Sequence, residues 1–217
     1  MAIEMGPPRG FPNPPAAGSD GRSPSAPNAP ALRVALFGGS FNPPHVAHQM
    51  AALYVLETAP VDEVWFVPAH EHAFGKPLAP YEDRLAMCEL AAAALGPRAR
   101  VSDVERAIGG RSLTLRTVRR LTELHPEHRF SLVIGSDLLA EVGKWYGGDE
   151  LARTVPFIVV GRPGAQPDGG TAPAITLPDV SSTAVRGALA AGRSVEGLVP
   201  RAVLDYIHTK GLYREPA

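Results

Sequence analysis

The chain has 217 residues, of which 45% are hydrophobic and 20% charged, the composition of a globular domain with a substantial core. Its net charge of −1 gives no overall basic surface, so we expect neither nucleic acid nor an anionic membrane as a partner. No apolar run approaches the roughly 18 residues that a membrane span needs. Cys88 is the only cysteine, which excludes an intrachain disulfide and favours a cytoplasmic location.

Residues 1–30 differ in composition from the rest of the chain. Eight of the 23 prolines lie there, with glycine and serine between them and few large apolar residues. Such a segment buries too little surface to offset its ordering entropy, so we interpret it as a disordered tail. It lacks the continuous apolar stretch of a secretory signal. Residues 31–217 are then a single domain.

From Leu32 onward, short apolar runs alternate with segments of helical spacing. The apolar runs predict strands at residues 32–37, 61–67, 100–102, 129–134, 156–160 and 174–177. Helices are predicted at residues 46–57, 81–95, 113–124, 183–191 and 200–209, and residues 161–173 form a loop rich in glycine and proline. Cys88 falls in an apolar helical stretch and is expected to be a core residue.

This alternation predicts an α/β fold with a Rossmann-like, doubly wound parallel sheet covered by helices on both faces. Ligands of such sheets bind beyond the carboxyl ends of the strands. The polar segments after Phe37, Val67, Ile134 and Leu177 are therefore the places to look for a site.

The segment from Gly38 to His48 follows the first predicted strand. Its two glycines let the backbone turn sharply and approach a ligand, and Pro44 suits the start of a helix. His45 and His48, three residues apart, then share the face of the first helical turn, where free N–H groups and the helix dipole favour phosphate. One alternative is that the histidines cap the helix and fill the core. Another is a zinc site, for which this pair alone supplies too few ligands.

The same segment resembles the signature of a nucleotidyltransferase superfamily, a Gly-Gly-Thr/Ser-Phe-Asp/Asn-Pro turn followed by His-x-Gly-His. The resemblance implies that His45 and His48 contact the phosphates of ATP and stabilise the transition state. It also implies an ATP site at the turn, formed by Gly38, Gly39, Ser40 and Phe41. Ala47 stands where the family usually has glycine.

A second segment, from Asp179 to Arg186, is read from its residues as a helix start capped by Ser182 or Thr183. It also resembles the family's Ile-Ser-Ser/Ala-Thr-x-x-Arg signature, which binds the triphosphate of ATP. The resemblance implies that Ser182, Thr183 and Arg186 bind ATP, with Arg186 among the catalytic residues.

Further segments resemble the nicotinate mononucleotide adenylyltransferase branch of the superfamily. Gly135 and Asp137 match a Gly-x-Asp motif that binds the adenosine ribose, and Gly211 to Tyr213 match the branch's usual C-terminal ending. The residues implied to lie beside the mononucleotide are Asn42, Ser112, Thr114, Trp145 and Tyr146. Plain packing of the two aromatic residues, and a capping role for Asp137, remain the alternatives.

The segment from Val67 to Lys76 departs from the branch, which usually has Pro-Pro-His-Lys there. Lys76, taken as catalytic, and the later Arg84 are expected to supply positive charge to phosphates. His70 and His72 are not part of the family pattern. They are substrate contacts, an incidental metal site or solvent-facing residues, of which we favour the last.

The resemblance implies a transfer of AMP from ATP to nicotinate mononucleotide, giving deamido-NAD and pyrophosphate. Mg²⁺ is expected to arrive with ATP, since no carboxylate cluster in the sequence is predicted to hold a metal. The alternatives are another acceptor, nicotinamide mononucleotide or phosphopantetheine, or a non-catalytic nucleotide-binding module. A cytidylyltransferase typically carries an Arg-Thr-x-Gly-Ile-Ser-Thr-Thr segment that this chain lacks. The sequence leaves the oligomeric state open, a homo-oligomer included.

Deletion of residues 1–30 is expected to leave the melting temperature and the adenylyltransferase rate unchanged, because a tail of this composition makes no stabilising contacts. Thermal unfolding and a pyrophosphate-release assay on the truncated and full chains check this. A fall of several degrees on truncation would show that the tail packs on the domain.

Overall fold

The computed structural model describes residues 30–72, 75–161 and 177–214. Five strands form one parallel sheet in the order β3-β2-β1-β4-β5. They are β1 (Arg33–Gly39), β2 (Glu63–Pro68), β3 (Ala99–Val101), β4 (Arg129–Gly135) and β5 (Phe157–Val160). The predicted parallel α/β sheet is confirmed, as are five of its predicted strands. Of the sixth, at 174–177, only Leu177 lies within the described residues, and it is not in a strand.

The helices connect these strands and follow them along the chain. They are α1 (Val46–Thr58), α2 (Tyr81–Ala93), α3 (Val104–Ile108), α4 (Thr114–Leu124), α5 (Ser136–Leu139), α6 (Gly148–Thr154), α7 (Ser182–Ala190) and α8 (Arg201–Lys210). The sequence predicts the five longer ones and misses α3, α5 and α6, which are too short to display a helical repeat. Among the described residues, no helix is both long and apolar enough to cross a membrane.

Helices cover both faces of the sheet. Successive residues of a strand point to opposite faces, so Ala35 of β1 packs against α1 and α2, whereas Val34 and Leu36 pack against α3, α4 and α6. All six residues of β2 are buried, as a strand covered on both faces requires. Cys88 is fully buried on the α2 side, which confirms the core prediction, and burial raises the pKa of its thiol.

The two C-terminal helices pack against α2 rather than against the sheet. Their shared cluster joins Met87 and Ala91 of α2 to Val185 of α7 and to Val203 and Ile207 of α8. This packing returns the chain to the carboxyl edge of the sheet, where β1 leads into α1. The start of α7 and the end of α8 therefore come to lie beside the β1–α1 connection.

The strand order reverses at β1. From β1 the chain crosses to β2 and β3 on one side, and later to β4 and β5 on the other. In an open parallel sheet, the crevice beyond the carboxyl ends at such a switch point is where ligands bind. Gly38 and Gly39, predicted to turn the chain, are instead the last two residues of β1, and the turn begins at Ser40. This end of β1 and the end of β4 at Gly135 both lie at the crevice.

Candidate active site

The turn between β1 and α1 is shaped by a buried aromatic side chain. Phe41 has a positive φ of 44° and a side chain only 1% exposed, packed edge-on against Phe37. A Cβ on Gly39 would lie 3.1 Å from the Phe41 ring, a tight contact that would require this ring to shift by a few tenths of an ångström. Space is open beside Gly38, where a Cβ would meet nothing within 4 Å. The Phe41 ring thus packs beneath the turn, and its side chain is not available for the predicted ATP contact.

The two histidines meet at the start of α1. His45 occupies the N-cap position and is 3% exposed, and His48 is the third helical residue. Their rings stack with centroids 3.7 Å apart and 28° between the planes. Phe41 packs edge-on against His48 at 5.0 Å, which restricts the rotation of that ring. The predicted pairing of the histidines on one turn is therefore present.

A backbone hydrogen bond fixes the chemistry of His48. The N–H of His45 donates to His48 Nδ1 over 3.1 Å. A nitrogen that accepts a hydrogen bond carries no proton, so the proton of the neutral ring lies on Nε2. His48 Nε2 is then a donor, as a contact with a phosphate oxygen requires.

The histidines line a cleft that is partly open to solvent. Gly135 at the end of β4, Val160 at the end of β5 and Asp179 before α7 form its other walls. Ala47, which replaces the family's usual glycine, is buried and lines the same cleft. The positive dipole end of α1 lies at this place, although the N–H groups of Val46 and His48 already donate to the carbonyls of Leu198 and His45. The cleft is therefore suited to an anionic ligand such as a nucleotide phosphate.

The second signature docks directly onto the first. Ser182 Oγ donates to the carbonyl of Pro43 over 2.8 Å, and Arg186 Nη1 donates to the carbonyl of Asn42 over 2.7 Å. Arg186 Nη2 also reaches Thr183 Oγ1 at 3.4 Å. A guanidinium has five N–H donors, so these bonds leave several for a phosphate.

The cap of α7 differs from the predicted one. Ser181, with extended backbone at φ −124° and ψ 144°, accepts a hydrogen bond on its Oγ from the N–H of Ala184 at 3.1 Å. The prediction that Ser182 or Thr183 caps the helix is wrong, because both are already inside its first turn. The Ser182 hydroxyl is instead used to hold the β1–α1 turn.

Asn42 is oriented by two donors from distant parts of the chain. It is 3% exposed, and its Oδ1 accepts from the N–H of Ala79 at 3.2 Å and from the Tyr213 hydroxyl at 2.8 Å. Two donors on one atom require that atom to be the amide oxygen, which leaves Nδ2 as the group that can donate to a ligand. Burial raises the pKa of Tyr213, so its hydroxyl keeps its proton and stays a donor.

Arg84 is buried beneath these loops. Its side chain is 1% exposed, and it donates to the carbonyls of Ser40 at 2.9 Å, Ala69 at 2.6 Å, His70 at 3.0 Å and Ala79 at 2.9 Å. Burial lowers the pKa of this guanidinium. The expectation that Arg84 supplies charge to phosphates is wrong, because its donors are used to join the β1–α1 turn to the β2–α2 connection.

Protein comparisons agree with this geometry. Residues 36–188 match the cytidylyltransferase-like family. A "probable nicotinate-nucleotide adenylyltransferase" of Anaeromyxobacter sp. (strain K) is 51% identical over 184 residues, which cover 83% of this chain and 96% of that protein. A protein of the same name from Myxococcus xanthus is 40% identical over 85% of this chain and 96% of its own length. The chain belongs to the nicotinate-nucleotide adenylyltransferase family.

The fold is shared with solved structures of that activity. A Plasmodium falciparum nicotinic acid mononucleotide adenylyltransferase complexed with NaAD matches with a TM-score of 0.73 at 22% identity, over 83% of this chain and 97% of that one. The structure of a "putative nicotinate-nucleotide adenylyltransferase" from Vibrio parahaemolyticus matches with a TM-score of 0.65, also at 22% identity, over 85% of this chain and 96% of that one. The expected family and fold are thus confirmed.

Of the residues that the family resemblance assigns to the mononucleotide, Asn42 lies in the β1–α1 turn and the other four lie outside it. The Ser112 hydroxyl donates to the buried Glu105 and accepts from the N–H of His70, so it offers a ligand only a lone pair. Thr114 is the first residue of α4. Trp145 packs partly buried against the core cluster on the α4 side of the sheet, and Tyr146 is 61% exposed. Within the described chain, none of these four is among the residues that line the cleft of the histidines.

The connection between β2 and α2 differs in part from expectation. Lys76 is exposed, and its charge adds to burial in lowering the pKa of His72. His70 was expected to face solvent, but its Nδ1 is buried and its ring lies 5.1 Å from that of Tyr81. His70 is therefore only partly exposed, since its N–H donates to Ser112 and its carbonyl accepts from Arg84.

Arg84→Lys is expected to lower the free energy of unfolding by about 2–4 kcal/mol. The lysine ammonium cannot reach all the carbonyls that the planar guanidinium reaches, so some buried carbonyls would be left unpaired. Urea denaturation measures this change. Arg201→Lys, on the exposed side of α8, is the matched control and should stay within about 0.5 kcal/mol of the parent. Equal stabilities of the two variants would contradict the bracing role of Arg84.

Tyr213→Phe is expected to lower kcat/KM for the mononucleotide roughly tenfold. The variant loses one hydrogen bond of about 1.4 kcal/mol, and the Asn42 side-chain amide can then rotate away from its ligand-binding orientation. Steady-state kinetics measures this. Tyr206→Phe removes a hydroxyl that donates to Asp83 over 2.8 Å in the same group of helices, without touching the turn. It should therefore cost similar stability but leave kcat/KM unchanged. Equal kinetic losses in both variants would mean that Tyr213 acts only through stability.

Proposed function

We propose that this enzyme transfers the AMP part of ATP to nicotinate mononucleotide, forming deamido-NAD and pyrophosphate. The observation that carries the proposal is the convergence of His45, His48 and Arg186 on one turn at the switch point of the sheet. These side chains come from the two segments that resemble the family's signatures, in a chain 51% identical to a relative with that activity in its name.

The reaction needs positioning more than it needs a reactive side chain. An oxygen of the mononucleotide's 5′-phosphate attacks the α-phosphorus of ATP, and the bond from that phosphorus to the bridging oxygen breaks to release pyrophosphate. The attacking phosphate is already ionised, so no general base is required. Aligning the two phosphates in line and stabilising the charge on the transferring group then accounts for catalysis.

We assign the phosphate contacts to the donors around the β1–α1 turn. His48 Nε2 and His45 would donate to the α-phosphate, where negative charge concentrates in the transition state. The remaining donors of Arg186, with the backbone N–H of Ser182 and the hydroxyl of Thr183, would hold the leaving pyrophosphate. Lys76, on the β2–α2 connection, would add positive charge near these phosphates.

The nucleoside end of ATP would lie toward β4. Gly135 lines the cleft at the end of that strand, and the carboxylate of Asp137 follows in the first turn of α5. A carboxylate there suits the two hydroxyls of a ribose, which are both donors. The backbone of Gly38 to Phe41 would then pass under the phosphates. Mg²⁺ enters as part of the substrate, as the ATP complex of the metal.

The pyridine ring would lie against Trp145 and Tyr146. The N–H groups of Lys144 and Trp145 donate to the carbonyls of Glu141 and Val142, at 2.9 and 3.0 Å. Among the described residues, the N–H of Tyr146 donates to no backbone carbonyl. We propose that this N–H binds the carboxylate of nicotinate.

The assignment is tested by incubating the enzyme with MgATP and a panel of phosphorylated acceptors, and identifying each product by mass. Nicotinate mononucleotide should give deamido-NAD with one pyrophosphate per turnover. A product formed only from phosphopantetheine would assign a different acceptor. Binding of ATP without release of pyrophosphate would instead identify a non-catalytic nucleotide-binding module.

His48→Ala is expected to lower kcat by roughly a hundredfold or more, because one donor to the transition state is lost from a site that is otherwise intact. Single-turnover kinetics measures the effect, and circular dichroism verifies folding. His208→Ala, on the exposed end of α8, is the control and should keep the parent rate. A folded His48→Ala enzyme with near-normal turnover would refute the assigned role.

Nicotinate mononucleotide is expected to be preferred over its nicotinamide counterpart roughly ten- to a hundredfold in kcat/KM. A site whose donor faces the carboxylate would meet the amide N–H₂ as donor against donor, which costs about 1–3 kcal/mol. Competition between the two mononucleotides measures the ratio. The exposed Glu71 would repel a carboxylate if it reached the ring, so equal values or a nicotinamide preference would overturn the assignment while leaving adenylyl transfer intact.

A further inference from the structure

A cluster of possible metal ligands lies at the opposite edge of the sheet from the cleft. His125 ends α4, and His128 directly precedes β4, with Glu127 between them. The N–H of His128 donates to the carbonyl of His125 over 3.0 Å, which closes a tight turn. This turn sets the two imidazoles side by side, with 7° between their planes and 5.2 Å between their centroids.

The carboxylate of Glu127 lies within reach of both rings. Its Oε1 is 3.9 Å from Nδ1 of His125 and 3.5 Å from Nδ1 of His128. One donor atom from each of the three side chains lies within 4.8 Å of the other two. Tetrahedral metal–ligand bonds of about 2.1 Å place the ligand atoms roughly 3.4 Å apart. The three ligand atoms would therefore need to move closer together by about 1 Å to coordinate one ion.

We propose that His125, Glu127 and His128 bind a divalent transition-metal ion, Zn²⁺ above all, with water in the fourth position. Two imidazoles and one carboxylate are ligands typical of Zn²⁺, whereas Mg²⁺ prefers oxygen ligands only. The site is independent of the proposed reaction. It lies at the amino end of β4, and the seven residues of that strand separate it by roughly 20 Å from Gly135 in the cleft.

The surroundings favour a bound ion. The buried ring of Trp65 packs edge-on against His125 at 5.2 Å and His128 at 6.0 Å, which limits access of water on that side. The His128 side chain is 8% exposed and that of His125 is 32% exposed, so an ion can enter from the His125 side. The N–H of Leu32 reaches His128 Nδ1 only at 3.4 Å, a weak bond that a metal can displace. Binding would tie the end of α4 to the start of β4.

Calorimetric titration of the full chain with ZnCl₂ tests the site, with Co²⁺ absorption as a second readout. We expect one ion per chain, and an affinity reduced about tenfold or more in His125→Ala and in Glu127→Gln, the latter keeping the shape of the side chain. Co²⁺ should show the visible bands of a four-coordinate site in the parent chain and lose them in both variants. The adenylyltransferase rate should be unaffected in both.

The double variant His45→Ala/His48→Ala and the single variant His208→Ala serve as controls for binding at other histidines, and both should bind Zn²⁺ like the parent. The proposal is overturned if the parent chain binds no ion, or if binding persists in His125→Ala and Glu127→Gln. It is equally overturned if binding is lost in the His45→Ala/His48→Ala variant, since the ion would then belong to the cleft.

Discussion

The site depends on how the turn from Ser40 to Pro43 is held. Its backbone carbonyls receive hydrogen bonds from Arg84, Ser182 and Arg186, and the Asn42 side chain receives one from Tyr213. The buried Phe41 ring packs one side of this turn, but each of its carbonyls left unpaired would still cost about 1–3 kcal/mol. The start of α1 therefore takes its shape only once α2, α7 and α8 have packed together. Donors held in advance of the reaction cost no reorganisation when charge develops in the transition state.

Local patterns in the sequence predict most of the fold. Apolar runs bounded by glycine and proline identify the strands, and the glycine turn with His45 and His48 identifies the site, because both signals lie within a dozen residues. Arg84 shows where this reasoning stops: a lone arginine in a helix has the same sequence appearance whether it faces a phosphate or is buried among carbonyls. Tyr213 is similar, since its contact with Asn42 spans 171 residues and follows from helix packing that no local pattern records.

The two edges of the sheet have different chemistry. The carboxyl edge gathers backbone N–H groups, imidazoles and a guanidinium, all donors suited to anionic substrates. The amino edge brings together His125, Glu127 and His128, where a carboxylate beside two imidazoles makes the set suited to a cation. Because parallel strands run from one edge to the other, adenylyl transfer and metal binding can be changed independently by substitutions at either edge.

If Ser182 and Tyr213 act through one shared turn, their effects on catalysis are not independent. A double-mutant cycle in kcat/KM with Ser182→Ala and Tyr213→Phe measures this coupling directly, and pairing Tyr213→Phe with His208→Ala gives the uncoupled reference. The shared turn predicts a coupling energy of about 0.5–3 kcal/mol. The first substitution already makes the turn less ordered, so the second has a smaller effect than it has alone. Effects that add to within about 0.3 kcal/mol would show that the two hydroxyls act separately, and would contradict the dependence of the site on this turn.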